Sequence, residues 1–276
     1  MRLTILGSGT NVHPTRAAAG YLVRTDQSLI LDFGPRTLMN LIKSGVNRHK
    51  ITHILFSHFH ADHFSDFITF FFDAVIYAKY GGGHRPGMTL IGPKGTIRLL
   101  RTIMQSFPSF SSAPFTVTFK EVSAKPFSIG STRITPKLMD HVPDLTAVGY
   151  RIEYRGKSVV YSGDTQYCDA VISLCKDADL AVLDCSFPAN RPGAAHLHAG
   201  RVVAQVVSLF KQGLLASLHV GLRGGVCLIN LVERLCRHDG HVGLIFGRRC
   251  DRYRCRQQDR YHCDSASDLS VAAKIY

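Results

Sequence analysis

Residues 57–63 read Ser57-His58-Phe59-His60-Ala61-Asp62-His63, which puts four potential metal ligands within six positions. The run Ile51–Ser57 leads directly into them and has the composition of a strand. In an extended segment His58 and His60, at i and i+2, point to the same side. Two imidazoles so placed can hold one borderline-soft cation such as Zn²⁺. If the chain turns helical immediately afterwards, Asp62 and His63 swing toward a second position beside the first. A solvated polar loop has no reason to concentrate the residue types of zinc chemistry in this way.

Two later stretches supply further candidates. Asp140-His141 follows the strand-like run Thr132–Leu138, and Gly163-Asp164-Thr165 follows Ser158–Ser162. Each places a side chain just past a strand end, where a sheet can hold it over a shared cleft. Alone, His141 reads as a surface histidine. Beside the cluster it becomes a candidate ligand, because a metal held by two histidines still lacks protein donors.

Around these points the chain alternates between periods of two and 3.6. Strand-like runs at Arg2–Leu6, Gly20–Arg24 and Ser28–Asp32 precede a helix over Arg36–Ser44. The aromatic-rich stretch 64–80 predicts a helix buried on most sides, and Gly81–Gly87 predicts a flexible loop. A strand at Thr89–Ile91 and a helix at Thr96–Ser106 follow. Strands are then expected at Phe115–Glu121, Thr132–Lys137, Ala147–Tyr154, Ser158–Ser162 and Leu180–Leu183, with helices at Val171–Cys175 and Ala199–Lys211. Strands and helices so ordered, in two similar halves, predict an α/β fold. The expected form is a four-layer αββα sandwich of two mixed β-sheets with helices outside. One domain is expected over residues 1–247, ending in a helix at Asn230–Arg237 and a strand at His241–Phe246. Residues 248–276 are expected to be a polar, disordered tail.

The run His58-x-His60-x-Asp62-His63, His141, Ser162-Gly163-Asp164-Thr165 and the opening Leu6-Gly7-Ser8-Gly9-Thr10 resemble the metallo-β-lactamase fold superfamily. Within it the likeness is to the ribonuclease Z-like branch of metal-dependent hydrolases. Gly20-Tyr21-Leu22-Val23, Leu31-Asp32-Phe33-Gly34-Pro35 and Leu183-Asp184-Cys185-Ser186-Phe187, followed by His196-Leu197-His198, carry it further. The resemblance runs from the first residue to about 213. It implies two zinc ions, with manganese or iron as alternatives. His58, His60 and His141 would hold the first ion, Asp62 and His63 the second, and Asp164 would bridge them. His219 is the candidate for the last ligand, although Leu218 stands before it where the family has Thr or Ser. The implied chemistry is hydrolysis by a hydroxide shared between the metals, with Asp62 as ligand and proton acceptor. His196 would donate a proton to the leaving group and Asp184 would orient it. His198 departs from the family, which has Thr or Ser there.

The 276 residues carry eight cysteines and a net charge of +13, and 45% of them are hydrophobic, which excludes a disordered chain. Residues 1–213 hold 23 Lys and Arg against 14 Asp and Glu, an excess of +9. Such a charge favours a polyanionic partner only non-specifically. Together with the resemblance it makes a phosphodiester the expected substrate, as a small molecule or as nucleic acid. A tRNA 3′-processing endonuclease, a lactone or thioester hydrolase, and a binding protein with an impaired metal site are the alternatives. Only 22 residues separate His141 from Asp164, which leaves no room for the long arm that clamps tRNA in ribonuclease Z. The Gly81–Gly87 loop with Arg85 is the alternative contact for such a substrate. No cysteine pair is spaced C-x-x-C, so neither a zinc knuckle nor a disulfide framework is expected. Five cysteines crowd the last 50 residues, which a change of reading frame near residue 213 would explain. No membrane span or secretory signal is evident, so a cytoplasmic protein is expected, with a homodimer possible.

Overall fold

The computed structural model describes residues 1–186, 195–197, 219–223 and 225–230. Its first half contains β1 (Arg2–Gly7), β2 (Gly20–Arg24), β3 (Ser28–Phe33), α1 (Thr37–Lys43), β4 (His53–Leu55), α2 (Ala61–Phe64) and α3 (Asp66–Tyr80). It continues through β5 (Met88–Gly92), α4 (Thr96–Ser106), α5 (Pro108–Ser111) and β6 (Val117–Glu121). The second half contains β7 (Phe127–Ile129), β8 (Thr132–Met139), β9 (Ala147–Tyr154), β10 (Lys157–Tyr161), α6 (Asp169–Cys175), β11 (Leu180–Cys185), β12 (His219–Arg223) and β13 (Gly225–Asn230).

The first six strands form one sheet in the order β1-β2-β3-β4-β5-β6, and the others form a second in the order β12-β13-β11-β10-β9-β8-β7. Both sheets mix parallel and antiparallel pairs. Apolar side chains sort by strand parity. Leu3, Ile5, Tyr21, Val23, Leu29 and Leu31 pack with Ile134, Tyr150, Ile152 and Val182 in a core between the sheets. Leu22, Ile30 and Ile54 face the opposite way, onto Leu41, Phe67, Phe70 and Leu100 of the helices. Val160 and Ala181 of the second sheet likewise cover Val171 and Leu174 of α6. Strands such as β3 and β11, covered on both faces, therefore read as continuous apolar runs. This is the expected four-layer α/β sandwich.

Three local expectations change. Helix α3 buries Phe67, Phe70, Phe71, Ala74 and Val75 but exposes Phe72, Ile76 and Tyr80 at a spacing of four, so it packs on one face only. Arg85 is not displayed on a loop. It is 3% exposed, donates 2.9 Å hydrogen bonds to the carbonyls of Pro86 and Ile51, and lies 4.6 Å over the Phe115 ring. The hairpin β12–β13 pairs with β11 at a place where no strands were expected. The 22 residues between His141 and Asp164 are taken up by β9 and β10, an antiparallel pair turned at Arg155–Gly156. Asn230, where a helix over Asn230–Arg237 was expected to start, closes β13, and the rest of that helix lies outside the described residues, as do the helix expected at Ala199–Lys211, the strand at His241–Phe246 and the tail from 248. Among the described residues no helix is long and apolar enough to cross a membrane.

Candidate metal centre

Strand β4 ends at Leu55, and Phe56–His60 run on from it at the end of the first sheet before α2 begins. His60 is the residue preceding the helix, with φ −69° and ψ 147°. Its extended backbone keeps it beside His58, while the helical turn carries His63 inward, where it is 4% exposed. The second sheet supplies His141 after β8, Asp164 after β10 and Asp184 near the end of β11. Gly163 has φ +59°, and a Cβ on it would stand 2.6 Å from Cβ of Ser57. Only glycine gives that conformation and that approach without strain, and both place Asp164 against the histidines.

Three imidazole nitrogens converge. His58 Nε2 lies 3.1 Å from His60 Nδ1, which lies 3.3 Å from His141 Nε2. Donors each about 2.0–2.1 Å from a tetrahedral zinc ion stand about 3.3–3.4 Å apart, so the three nitrogens are at ligand-edge spacing. Asp164 completes the group, with Oδ2 3.8 Å from His58 Nε2, while its Oδ1 lies 3.3 Å from His63 Nε2. One carboxylate oxygen thus serves each side.

The outer contacts point the ring lone pairs into the cluster. Ser57 donates through both its backbone N–H and its hydroxyl to Asp32, at 2.6 Å each. With that hydroxyl committed, His58 Nδ1 donates to Ser57 Oγ at 3.0 Å, and Nε2 is left as the acceptor. His141 Nδ1 donates to the Ala195 carbonyl at 2.8 Å, which likewise leaves Nε2. His63 Nδ1 is held by Asp32 at 2.7 Å. A ligating histidine anchored through its other nitrogen to a carboxylate or carbonyl is the usual outer arrangement of a metal site.

Electrostatics follow the same geometry. Burial, with His63 close by, pushes the His58 imidazole down to about 2, so it is a neutral donor. Burial alone would lower His63, but Asp164 and Asp32 outweigh it and hold the imidazole well above its usual range. Burial alone would raise Asp164, but His63 and His58 draw it well below the usual carboxylate range. Nitrogens this close, facing a shared half-buried carboxylate, call for a cation, and the residues present fit a divalent metal.

Beside Asp164, His196 Nδ1 lies 2.9 Å from Asp184 Oδ2 and 3.7 Å from Asp164 Oδ2. Asp184 is 5% exposed and also accepts from Ser186 N–H at 3.0 Å, and from Thr165 and Leu197 N–H at 3.3 Å. Burial would lower His196, but its bond to Asp184 and the charge on that carboxylate raise it.

The structure therefore brings together His58, His60, His63, His141, Asp164, Asp184 and His196. Asp62 sits half-buried in the first turn of α2 and belongs to none of the ligand groups among the described residues. Burial first and then His141 lower the His60 imidazole, against the opposing charges of Asp164 and Asp62. For His219 the structure describes the backbone position alone. It opens β12 opposite Asn230, which pairs with Leu180, whereas Asp184 pairs with Val226 at the other end of β11. Four residues along the sheet and two strands across put the backbones of His219 and Asp184 on the order of 15 Å apart. Asp32, by contrast, was not singled out as a site residue. Its signal was an acid closing the otherwise apolar run Leu29-Ile30-Leu31, where a charge must find partners. Among the described residues no cysteine belongs to a ligand group. Burial pushes Cys175 up to about 12 and Cys185 up to about 11, so both remain protonated thiols.

Comparison with known proteins gives the same answer. Residues 32–219 match the family described as "Beta-lactamase superfamily domain". An uncharacterised protein of Mycobacterium leprae is 34% identical over 223 residues, covering 74% of each chain. A ribonuclease Z of Mycobacterium bovis is 27% identical over 195 residues, 66% of this chain and 69% of its own length. The crystal structure of the metallo-β-lactamase fold protein YhfI from Bacillus subtilis superposes with a TM-score of 0.63 at 25% identity, covering 74% of this chain and 82% of that one. With its fold and family both matched, the chain belongs to the β-lactamase superfamily and has the metallo-β-lactamase fold.

Proposed function

We propose that this protein is a hydrolase using two zinc ions and that its substrate is a phosphodiester. The observation that carries this is Asp164, whose oxygens face His58 on one side and His63 on the other while His196 stands 3.7 Å away. His58, His60 and His141 would hold one ion, Asp62 and His63 the other, and Asp164 both. Bound zinc supplies Lewis-acid polarisation and an acidified water nucleophile.

The protein's own groups do the rest. Asp32 and Ser57 orient His63 and His58, and the Ala195 carbonyl orients His141. Asp184 holds His196 at Nδ1, which makes Nε2 the nitrogen that passes a proton to the departing oxygen. A leaving-group acid suits an alkoxide departing from phosphorus, and the excess of +9 over residues 1–213 suits an anionic substrate.

Precursor tRNA is the second reading, favoured by the ribonuclease Z relative. The short β9–β10 hairpin offers no clamping arm, and buried Arg85 offers no contact in its place, so a smaller phosphodiester comes first. The test is metal analysis with turnover of bis(p-nitrophenyl) phosphate, a lactone, a thioester and a precursor tRNA. Two zinc ions per chain and turnover of the first substrate are expected. Activity that survives His58→Ala combined with Asp164→Ala would overturn the proposal.

A further inference from the structure

The end of the first sheet remote from the histidines contains a cavity of about 380 Å³. Arg2 of β1, Arg24 of β2 and Lys50 of the turn Arg48–Lys50 line it, with Thr4, Ser28 and Asn47 between them, and no acidic residue does. Arg2 and Arg24 are direct cross-strand partners, so their side chains leave the same face of the sheet. Like charges placed directly opposite repel, and a strand pair does better with almost any other combination. Among the described residues none of the three cations makes an ion pair or a side-chain hydrogen bond, and Arg2 Nε is buried with no acceptor.

One kind of ligand relieves the repulsion among the three unpaired cations that line the cavity. We propose that this cavity is a second binding site, distinct from the candidate metal centre, for a small phosphorylated molecule. The dianion lies between the Arg2 and Arg24 guanidinium groups, accepts from their N–H groups that face the cavity, and draws in Lys50. The volume lies in the lower part of the range for small-molecule sites, which suits a mononucleotide or a smaller organic phosphate. The position is separate from the chemistry, because Ser28 at the cavity and Asp32 at the cluster are opposite ends of β3. Four residues of strand put them about 13 Å apart.

The experiment is isothermal titration of pyrophosphate, AMP and uncharged adenosine into the full-length, chelator-treated protein, which removes metal-dependent phosphate binding. Both anions should bind and adenosine should not, and His58→Ala should leave that binding intact. Arg24→Gln combined with Lys50→Gln should weaken it about tenfold or more. Lys50→Glu alone, on an exposed turn where folding is not at risk, should weaken it in the same direction. Absence of anion binding, or equal binding by the double variant, would overturn the site. If single-stranded RNA binds through the same three cations more tightly than either small anion, the surface serves a polymer and the proposal fails.

Discussion

His63 Nδ1 lies 2.7 Å from Oδ2 of Asp32, so a fully buried carboxylate sets which ring nitrogen faces Asp164. The same carboxylate takes the Tyr161 hydroxyl and both donors of Ser57. Asp32→Asn keeps the shape but not the charge, and should weaken metal binding by about 10–100-fold in competition against a chelator. Asp32→Ala should also destabilise the fold, by on the order of 3–5 kcal/mol in urea unfolding, because buried His63 loses its partner.

Gly34 presses the loop after β3 against the ligand helix. A Cβ there would stand 1.9 Å from the Asp62 carbonyl and 2.9 Å from Cβ of Ala18. Neither neighbour can swing aside as a long side chain could. Gly34→Ala should cost about 1–3 kcal/mol and displace α2, so metal affinity should fall together with the unfolding midpoint.

Asp26 accepts from Ser131 N–H at 2.8 Å and from Thr132 Oγ at 2.9 Å, joining the β2–β3 turn to the β7–β8 turn. Those bonds, Ser131 N–H foremost, lower its carboxyl from 3.8 to about 2. A depressed folded pKa gives stability that is present above 3.8 and lost as pH falls through about 2. Asp26→Asn should therefore lower Tm near neutral pH, and the gap to the parent protein should narrow from about pH 4 and close near pH 2.

Arg85 should behave as a core residue. Arg85→Met leaves the Pro86 and Ile51 carbonyls unpaired and should cost about 2–3 kcal/mol. KM for a phosphodiester should be unchanged, which a substrate contact could not produce.

Local and distant information separate cleanly in this chain. His58 and His60 were legible because strand geometry alone puts i and i+2 on one side, and His141, Asp164, Asp184 and His196 because their flanking residues follow a family pattern. Asp32 needed the fold, since it meets Ser57 only when β3 and β4 lie parallel. Asp62 follows the spacing expected of a ligand, but the helix that buries His63 leaves it half-exposed. His219 was named from the resemblance alone, and only the fold shows that its backbone opens β12 opposite Asn230. Arg85 lay among glycines and looked like loop, and no periodicity records that its guanidinium stacks on Phe115.

The loop bearing His58 and His60 is tied across the sandwich. Val148 N–H donates to the Ser57 carbonyl at 2.9 Å, the Tyr150 hydroxyl to the Phe56 carbonyl at 2.7 Å, and Tyr161 to Asp32, partners 94 and 129 positions apart in the last two cases. Neither half of the chain can arrange the ligands by itself. Contacts so far apart in sequence form late and together. Metal uptake during refolding would then be a clock for the meeting of the two sheets, and a fragment ending at β6 would be blind to both ions despite carrying two proposed ligands of each.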